Sequence, residues 1–395
     1  MPAPSLLERL YSSPAGHQVA RRVGLADPPV LRRGRVLPAG PIVLAELPGG
    51  GLARATLALL GVPTAEPVLD LPENRTPDAK GRPQPPAYPT RPGALVIDAC
   101  GVRAFDDLEG LRRVLRPAMR GLEASGRVII LATDADAVDG LEAKAVAQGL
   151  DGLNRTVAKE LRAGATSNLV FVRDGVRAAD LASTCSFLLE GRSAFASGQS
   201  WRVGRSKGPD AAPSASPFDG RIVVVTGAAR GIGAAIARTF ARDGAAVVAV
   251  DVPASGDALA RIANELRGSA LQLDITAPDA GERIAAHVAH VHGADARTWA
   301  IVHNAGITRD RLMANLDERA WAAVIGVNVA AELRINEFLL GHPEVPGSLG
   351  EAGRIVGIAS TSGVAGTGAR PTMRRPKPGS WARCGRRPRP WAGVR

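Results

Sequence analysis

Apolar residues in this chain come in short β-branched runs separated by stretches of helical spacing, and the rhythm occurs twice. In the second half, Ile222–Thr226, Ala246–Asp251, Ser269–Leu273, Trp299–His303 and Arg354–Ala359 read as strands, the first holding three consecutive valines. A run that is apolar at successive positions is buried on both faces, as in a parallel sheet covered by helices on either side. Strand and helix alternate, so residues 221–366 predict an α/β unit with a doubly wound parallel sheet. The first half repeats the rhythm more weakly: Pro41–Glu46, Ala94–Asp98, Arg127–Leu131 and Asn168–Val172 read as strands with helical patterns between them. Residues 1–205 therefore predict a second, degenerate α/β domain. Residues 206–220 (SKGPDAAPSASPFDG) have no apolar period and read as a linker. Thr64–Pro92, dense in proline and charge, reads as a long surface loop.

Chemistry enters at Arg221–Ala237 (RIVVVTGAARGIGAAIA), where a strand runs into a glycine-rich turn and an Ala-rich helix. Free backbone N–H groups and the helix dipole at such a junction favour a diphosphate, and the glycines let backbone and ligand approach. A glycine turn alone could be purely structural. Here Asp251 ends the next apolar run, at the spacing expected of a ribose contact, so the pattern predicts a bound dinucleotide.

The spacing Thr-Gly-x-x-x-Gly-x-Gly over Thr226–Gly233 resembles the short-chain dehydrogenase/reductase family, a Rossmann-type fold. Asp274 in LDIT resembles that family's adenine-side aspartate, and Asn304-Ala305-Gly306 its NAG motif. Asn328 in WAAVIGVNVAA resembles the structural and catalytic asparagine, and Ser360 in GRIVGIASTSGVAG the catalytic serine. Ser360 has the alternative of a strand-end turn residue, and Asn328 that of pairing with backbone. The resemblance implies cofactor contacts at Thr226, Gly227, Arg230, Gly231, Ile232, Gly233, Asp251, Asp274, Asn304, Ala305 and Gly306. It is strongest to bacterial 3-oxoacyl-[acyl-carrier-protein] reductases, in particular their long actinobacterial form with an extra N-terminal domain. That implies NAD(P)-dependent reduction of a 3-oxoacyl thioester on acyl-carrier protein or CoA, in a homo-oligomer. Asp251 would accept the ribose 2′-hydroxyl and repel a 2′-phosphate, favouring NAD(H), while Arg230 could instead reach a phosphate. Rival readings are another short-chain alcohol dehydrogenase, or a catalytically dead nucleotide-binding or assembly subunit.

The resemblance breaks where Tyr-x-x-x-Lys is required. Thirteen residues beyond Ser360 stands Met373, with Lys377 four residues later. The surrounding text TGARPTMRRPKPGSWARCGRRPRPWAGVR carries too many prolines for a long helix. Codons compatible with Thr367–Trp381, preceded by one A and read one base earlier, encode Asn-Arg-Gly-Gln-Thr-Asn-Tyr-Ala-Ala-Ser-Lys-Ala-Gly-Val-Met. That is the missing motif in register, with its tyrosine at 373, so the sequence predicts a single-base frameshift near Gly366, in the gene or in its reading. Residues 367–395 are then an aberrant, disordered basic tail, the strands that should follow are absent, and this chain is expected to be inactive and poorly folded. Lys377 keeps its position but not its context.

Net charge is +11, yet nine Lys or Arg and no acid lie in 367–395, leaving about +2 elsewhere. No nucleic-acid partner is therefore expected. Cys100, Cys185 and Cys384 lack metal-type spacing and read as reduced thiols, and no metal is expected. No apolar run reaches membrane-spanning length and the N-terminus does not read as a secretory signal, so a cytoplasmic location without a membrane partner is expected. In the first half, Pro41–Val62 has strand, glycines and helix without the dinucleotide spacing. Ala147–Val172 resembles the family's active-site helix and next strand, with Ala143 and Ala147 at the tyrosine and lysine positions. This domain thus resembles a flavodoxin-like or decayed Rossmann copy, either retaining nucleotide binding at Gly49-Gly50-Gly51 or serving packing and assembly.

Overall fold

The computed structural model describes residues 29–69, 88, 90–206, 216–309 and 313–360, and the chain divides into two units, Met1–Ala215 and Ser216–Arg395. Met373, Lys377 and the rest of 361–395 lie outside the described residues, as do residues 70–87 and 207–215.

The first unit holds a five-stranded parallel sheet in the order β1-β2-β3-β4-β5: Ile42–Glu46, Ala94–Ala99, Arg127–Thr133, Thr166–Val172 and Gln199–Val203. The first four strands match the expected runs to within two residues. β5 was not anticipated, because QSWRV is a half-exposed edge strand without an apolar run. Helices α1 (Leu52–Leu59), α2 (Leu108–Gly121), α3 (Leu141–Glu160) and α4 (Ala178–Leu189) cover the sheet. Side chains alternate along each strand: Ile42, Leu44 and Val96 pack with Leu57 of α1 and Leu181 of α4. Val43, Leu95 and Ile130 pack with Leu111 of α2 and Leu150 of α3 on the other face.

A parallel bridge from Val43 to Ala65, with Ala65 N–H on Ile42 O at 2.8 Å and Leu44 N–H on Ala65 O at 2.9 Å, lies on the free edge of β1. The chain therefore leaves β1 in one direction, makes one bridge, and returns across β1 to build β2–β5. With right-handed crossovers, that reversal puts α1 on the face opposite α2. Counting the bridge as a second strand, the order is 2-1-3-4-5-6, which opens with the flavodoxin-like reversal and carries one strand more at the far edge. Ala143 and Ala147 are buried on α3 as small core residues.

The second unit orders its strands β10-β9-β6-β7-β8, all parallel: Leu349–Gly357, Thr298–His303, Ile222–Thr226, Ala246–Asp251 and Ser269–Gln272. This is the Rossmann arrangement, with its switch point between β6 and β9. β10 starts earlier than the expected Arg354 because its register breaks between Leu349 and Arg354, so the first part carries no continuous apolar pattern. Helices α5 (Gly231–Arg242) and α6 (Gly256–Leu266) cover one face through Ala237 and Leu259. On the other face α7 (Ala280–His292) and α9 (Ala331–Gly341) bury Ile284, Val288, Ile335 and Leu339 against Val224 and Ile301. α8 (Glu318–Ile325) joins α9 through one π-helical turn, Gly326–Ala330. At the end of the expected linker Phe218 packs on Phe240 and Trp299 at centroid distances of 4.8 and 5.3 Å.

Candidate dinucleotide site

The expected cofactor residues converge at the C-terminal ends of β6, β7, β8 and β9. Thr226 closes β6 with no exposed surface, and its hydroxyl oxygen accepts from Asn304 N–H and Ala305 N–H, both at 3.1 Å. The same hydroxyl donates to Val302 O at 3.3 Å. One side chain thus ties the glycine turn to the Asn304-Ala305-Gly306 segment after β9. Asn304 adds a second tie, its Nδ2 donating to Gly227 O at 3.2 Å.

Contact distance explains two of the glycines. A Cβ on Gly233 would stand 2.0 Å from Gly227 O and 2.6 Å from Asn304 Nδ2. Gly227 has φ +67°, and a Cβ there would stand 2.8 Å from Ala305 Cα. Any side chain at either position would drive the turn, the helix and the Asn304 segment apart.

What remains open is the end of α5. Its first N–H groups have no carbonyl one turn earlier to accept them. Arg230, at the cap position, makes no side-chain cap bond, and Ile232 beside it is 66 % exposed. A tethered apolar side chain next to free donors is a surface suited to an anion bound to a ring system.

Asp251 ends β7 half-buried, its Oδ2 accepting from Ala229 N–H at 3.0 Å and its Oδ1 from Val252 N–H at 2.9 Å. Each oxygen of a carboxylate has a further lone pair, so a ribose hydroxyl can still be accepted. Arg230 is exposed. Asp274 follows β8, whose Gln272 pairs with Asp251. Thr276 donates to Asp274 Oδ1 through its N–H at 2.9 Å and its hydroxyl at 2.7 Å. Those bonds, the backbone one first, hold the Asp274 carboxyl below its ordinary pKa.

Asn328 sits in the π-helical turn and is buried. Its Oδ1 accepts from Ile307 N–H at 2.8 Å and its Nδ2 donates to Ile307 O at 2.9 Å, which clamps the loop leaving β9. Backbone pairing is therefore its role in this structure. Ser360 lies half-buried three residues past β10. Gly357 pairs with His303 and Ile358 N–H donates to His303 O at 2.9 Å, so the serine leaves the sheet beside the Asn304 strand. Not anticipated was Asn336, whose Oδ1 meets the buried His303 Nε2 at 2.8 Å; no local pattern couples residues on a strand end and a distant helix. Among the described residues no cluster could hold a metal ion, and no helix is long and apolar enough to cross a membrane.

Residues 221–372 match the family described as short chain dehydrogenase. Curated relatives include the 3-oxoacyl-[acyl-carrier-protein] reductase FabG of Pseudomonas aeruginosa, 32 % identical over 165 residues, covering 41 % of this chain and 64 % of that protein. The FabG of Thermotoga maritima is 32 % identical over 151 residues, 37 % of this chain and 60 % of its own length. The chain thus spans less than two thirds of the curated relatives it matches. Among solved structures, the oxidoreductase yciK from E. coli aligns at 26 % identity and TM-score 0.35, covering 40 % of this chain and 64 % of that one. A short chain dehydrogenase from Escherichia coli CFT073, solved with NADPH, aligns at 28 % identity and TM-score 0.34, covering 40 % and 65 %. The glycine turn, the Asn304 segment and all five strands of the second unit lie within the stretch that is similar to the short-chain dehydrogenase/reductase family.

Proposed function

We propose that the second unit binds a nicotinamide dinucleotide at the C-terminal ends of β6–β9, on the framework of a 3-oxoacyl thioester reductase, and that this chain does not turn the ketone over. The observation that carries the cofactor reading is the uncapped N-terminus of α5 beside the exposed Ile232. Gly231, Ile232 and Gly233 present N–H groups to a diphosphate, and Asp251 and Asp274 stand at neighbouring strand ends on the adenosine side. The Asp251 carboxylate disfavours a 2′-phosphate, which supports NAD(H) over NADP(H).

When bound, the dinucleotide supplies the hydride. Ser360 would donate to the substrate carbonyl oxygen and hold it while that oxygen gains charge. Asn328 fixes the loop after β9 through Ile307 and so keeps the floor of the site in place. The remaining task is delivery of a proton to that oxygen. Position 373 holds methionine, which has no ionisable proton. Loss of general acid catalysis costs roughly 10²–10⁴ in rate, before any loss of substrate placement. The intact cradle beside a missing acid also supports the reading of a nucleotide-binding subunit without turnover. Substrate class rests on likeness to the FabG proteins, and a different carbonyl substrate is the competing reading.

Fluorescence titration of the purified chain with NADH and NADPH, followed by an assay with acetoacetyl-CoA, tests both parts. Binding with NADH preferred and no turnover is expected. Measurable oxidation of either cofactor by the ketone removes the inactivity claim, and failure to bind either removes the site assignment.

A further inference from the structure

The first unit has a strand, a glycine turn and a helix at its own switch point, yet the helix end there is taken. Asp98, on β2 and without exposed surface, places Oδ2 2.9 Å from Gly51 N and 2.8 Å from Ala53 N. Its Oδ1 accepts from Cys100 N–H at 3.1 Å. The carboxylate therefore holds two of the N–H groups that a phosphate at the start of α1 would need.

The backbone next to it is closed as well. A Cβ on Gly101 would stand 1.9 Å from Pro48 O and 2.7 Å from Gly49 Cα, so the glycine turn rests directly on the chain leaving β2. A Cβ on Gly50 would stand 3.1 Å from Asp98 Cγ. Arg103, the nearby cation, is engaged by Cys100 O at 2.7 Å and Thr133 Oγ1 at 3.0 Å.

The second unit resolves the same geometry differently. Across its switch point stands Asn304, whose amide donates to the turn carbonyl Gly227 O and leaves the helix N–H groups open. A donor braces the turn in one unit, and an acceptor occupies the helix in the other.

We propose that Asp98 is an internal anion that closes the switch point of the first unit to phosphate-bearing ligands. The glycines Gly49, Gly50 and Gly51 then serve close packing of the turn on β2 and on Asp98, and the unit is a scaffold whose anion position is satisfied by its own chain.

Two measurements on the full chain test this. In the unaltered protein, hydrogen exchange of the peptide spanning Leu52–Leu59 is followed during titration with inorganic phosphate and then with FMN. No added protection is expected, and protection of α1 by either ligand overturns the proposal. Thermal unfolding is then compared for the parent, Asp98→Ala and Asp98→Asn, in phosphate and in chloride of matched ionic strength. Asp98→Ala should lower the Tm of the first unit by on the order of 5 °C, because buried N–H groups lose their acceptor. Phosphate should restore part of that loss in Asp98→Ala but not in Asp98→Asn, whose amide still fills the position. The second unit is the same in all three proteins, so its own response to anions cancels. Equal responses of parent and Asp98→Ala to phosphate overturn the proposal, and the exchange experiment decides it alone if Asp98→Ala does not fold.

Discussion

Gly233→Ala isolates the contact that assembles the dinucleotide site. The added methyl would stand 2.0 Å from Gly227 O and 2.6 Å from Asn304 Nδ2, and the first of these is backbone that no rotamer change can move aside. Alanine in place of glycine in a helix favours folding by at most about 1 kcal/mol. Against this, forcing a methyl into a packed contact costs about 1–3 kcal/mol. Displacing the turn also breaks the Asn304–Gly227 hydrogen bond, worth about 1 kcal/mol. The net expectation is a loss of about 2 kcal/mol, or about 4–8 °C in the Tm of a unit this size. Dinucleotide affinity should fall at least about tenfold, because the turn and the α5 N–H groups no longer share one surface. Gly231→Ala is the control: its Cβ meets nothing within 4 Å, and its φ of +58° costs only backbone strain of about 1–2 kcal/mol. Calorimetry of the full chain with a parallel NADH titration reads both effects. If Gly233→Ala proves as stable as the parent, or binds NADH no more weakly than Gly231→Ala, close approach is not what the glycine provides.

Thr226→Val removes the hydroxyl that accepts from Asn304 and Ala305, leaving two N–H groups without their acceptor. Urea denaturation should show a loss of about 2–4 kcal/mol, and less than about half a kcal/mol would contradict the tie. Asn328→Ala breaks both bonds to Ile307, so amide exchange at Ile307 should quicken by at least about tenfold while the core strands stay protected. His287, which meets Ser269 Oγ at 3.1 Å, titrates below an ordinary imidazole because of burial first and of His290 and His292 next. Its contribution to stability is therefore complete above the unfolded pKa of about 6.5 and is lost as pH falls from there through the folded value. Denaturation midpoints across that window should fall with pH in the parent and fall less in His287→Gln. Asp274 acts with the same sign in the carboxylate range, since Thr276 lowers its pKa. Resequencing the gene from the codon of Ile355 past the stop should show Tyr-Ala-Ala-Ser-Lys in the shifted frame; a frame lacking it rules out the frameshift.

Local pattern was enough for whatever is written within one strand, turn or helix. The valine run of β6, the glycine turn and the acid at the end of β7 are contiguous features, and each lies where the sequence implied. The same holds for β1–β4, whose apolar runs are long enough to be buried on both faces. β5 was illegible because an edge strand buries little and needs no apolar run. The broken start of β10 was illegible because its register is set by pairing with β9. Tertiary structure alone decided what the glycines are for. Gly49–Gly51 and Gly227–Gly233 both lead a strand into a helix, but Asp98 arrives from 45 residues beyond Ala53 as an acceptor and fills one helix end. Asn304 arrives from 77 residues beyond Gly227 as a donor and leaves the other open. Strand order followed the same division. Helix and strand identity is a local balance of propensity and period, while which strand lies beside which is fixed by crossovers that bring distant residues together. The reversal at Ala65, one bridge long, gave the first unit its flavodoxin-like opening, and no stretch of sequence around it reads as a strand.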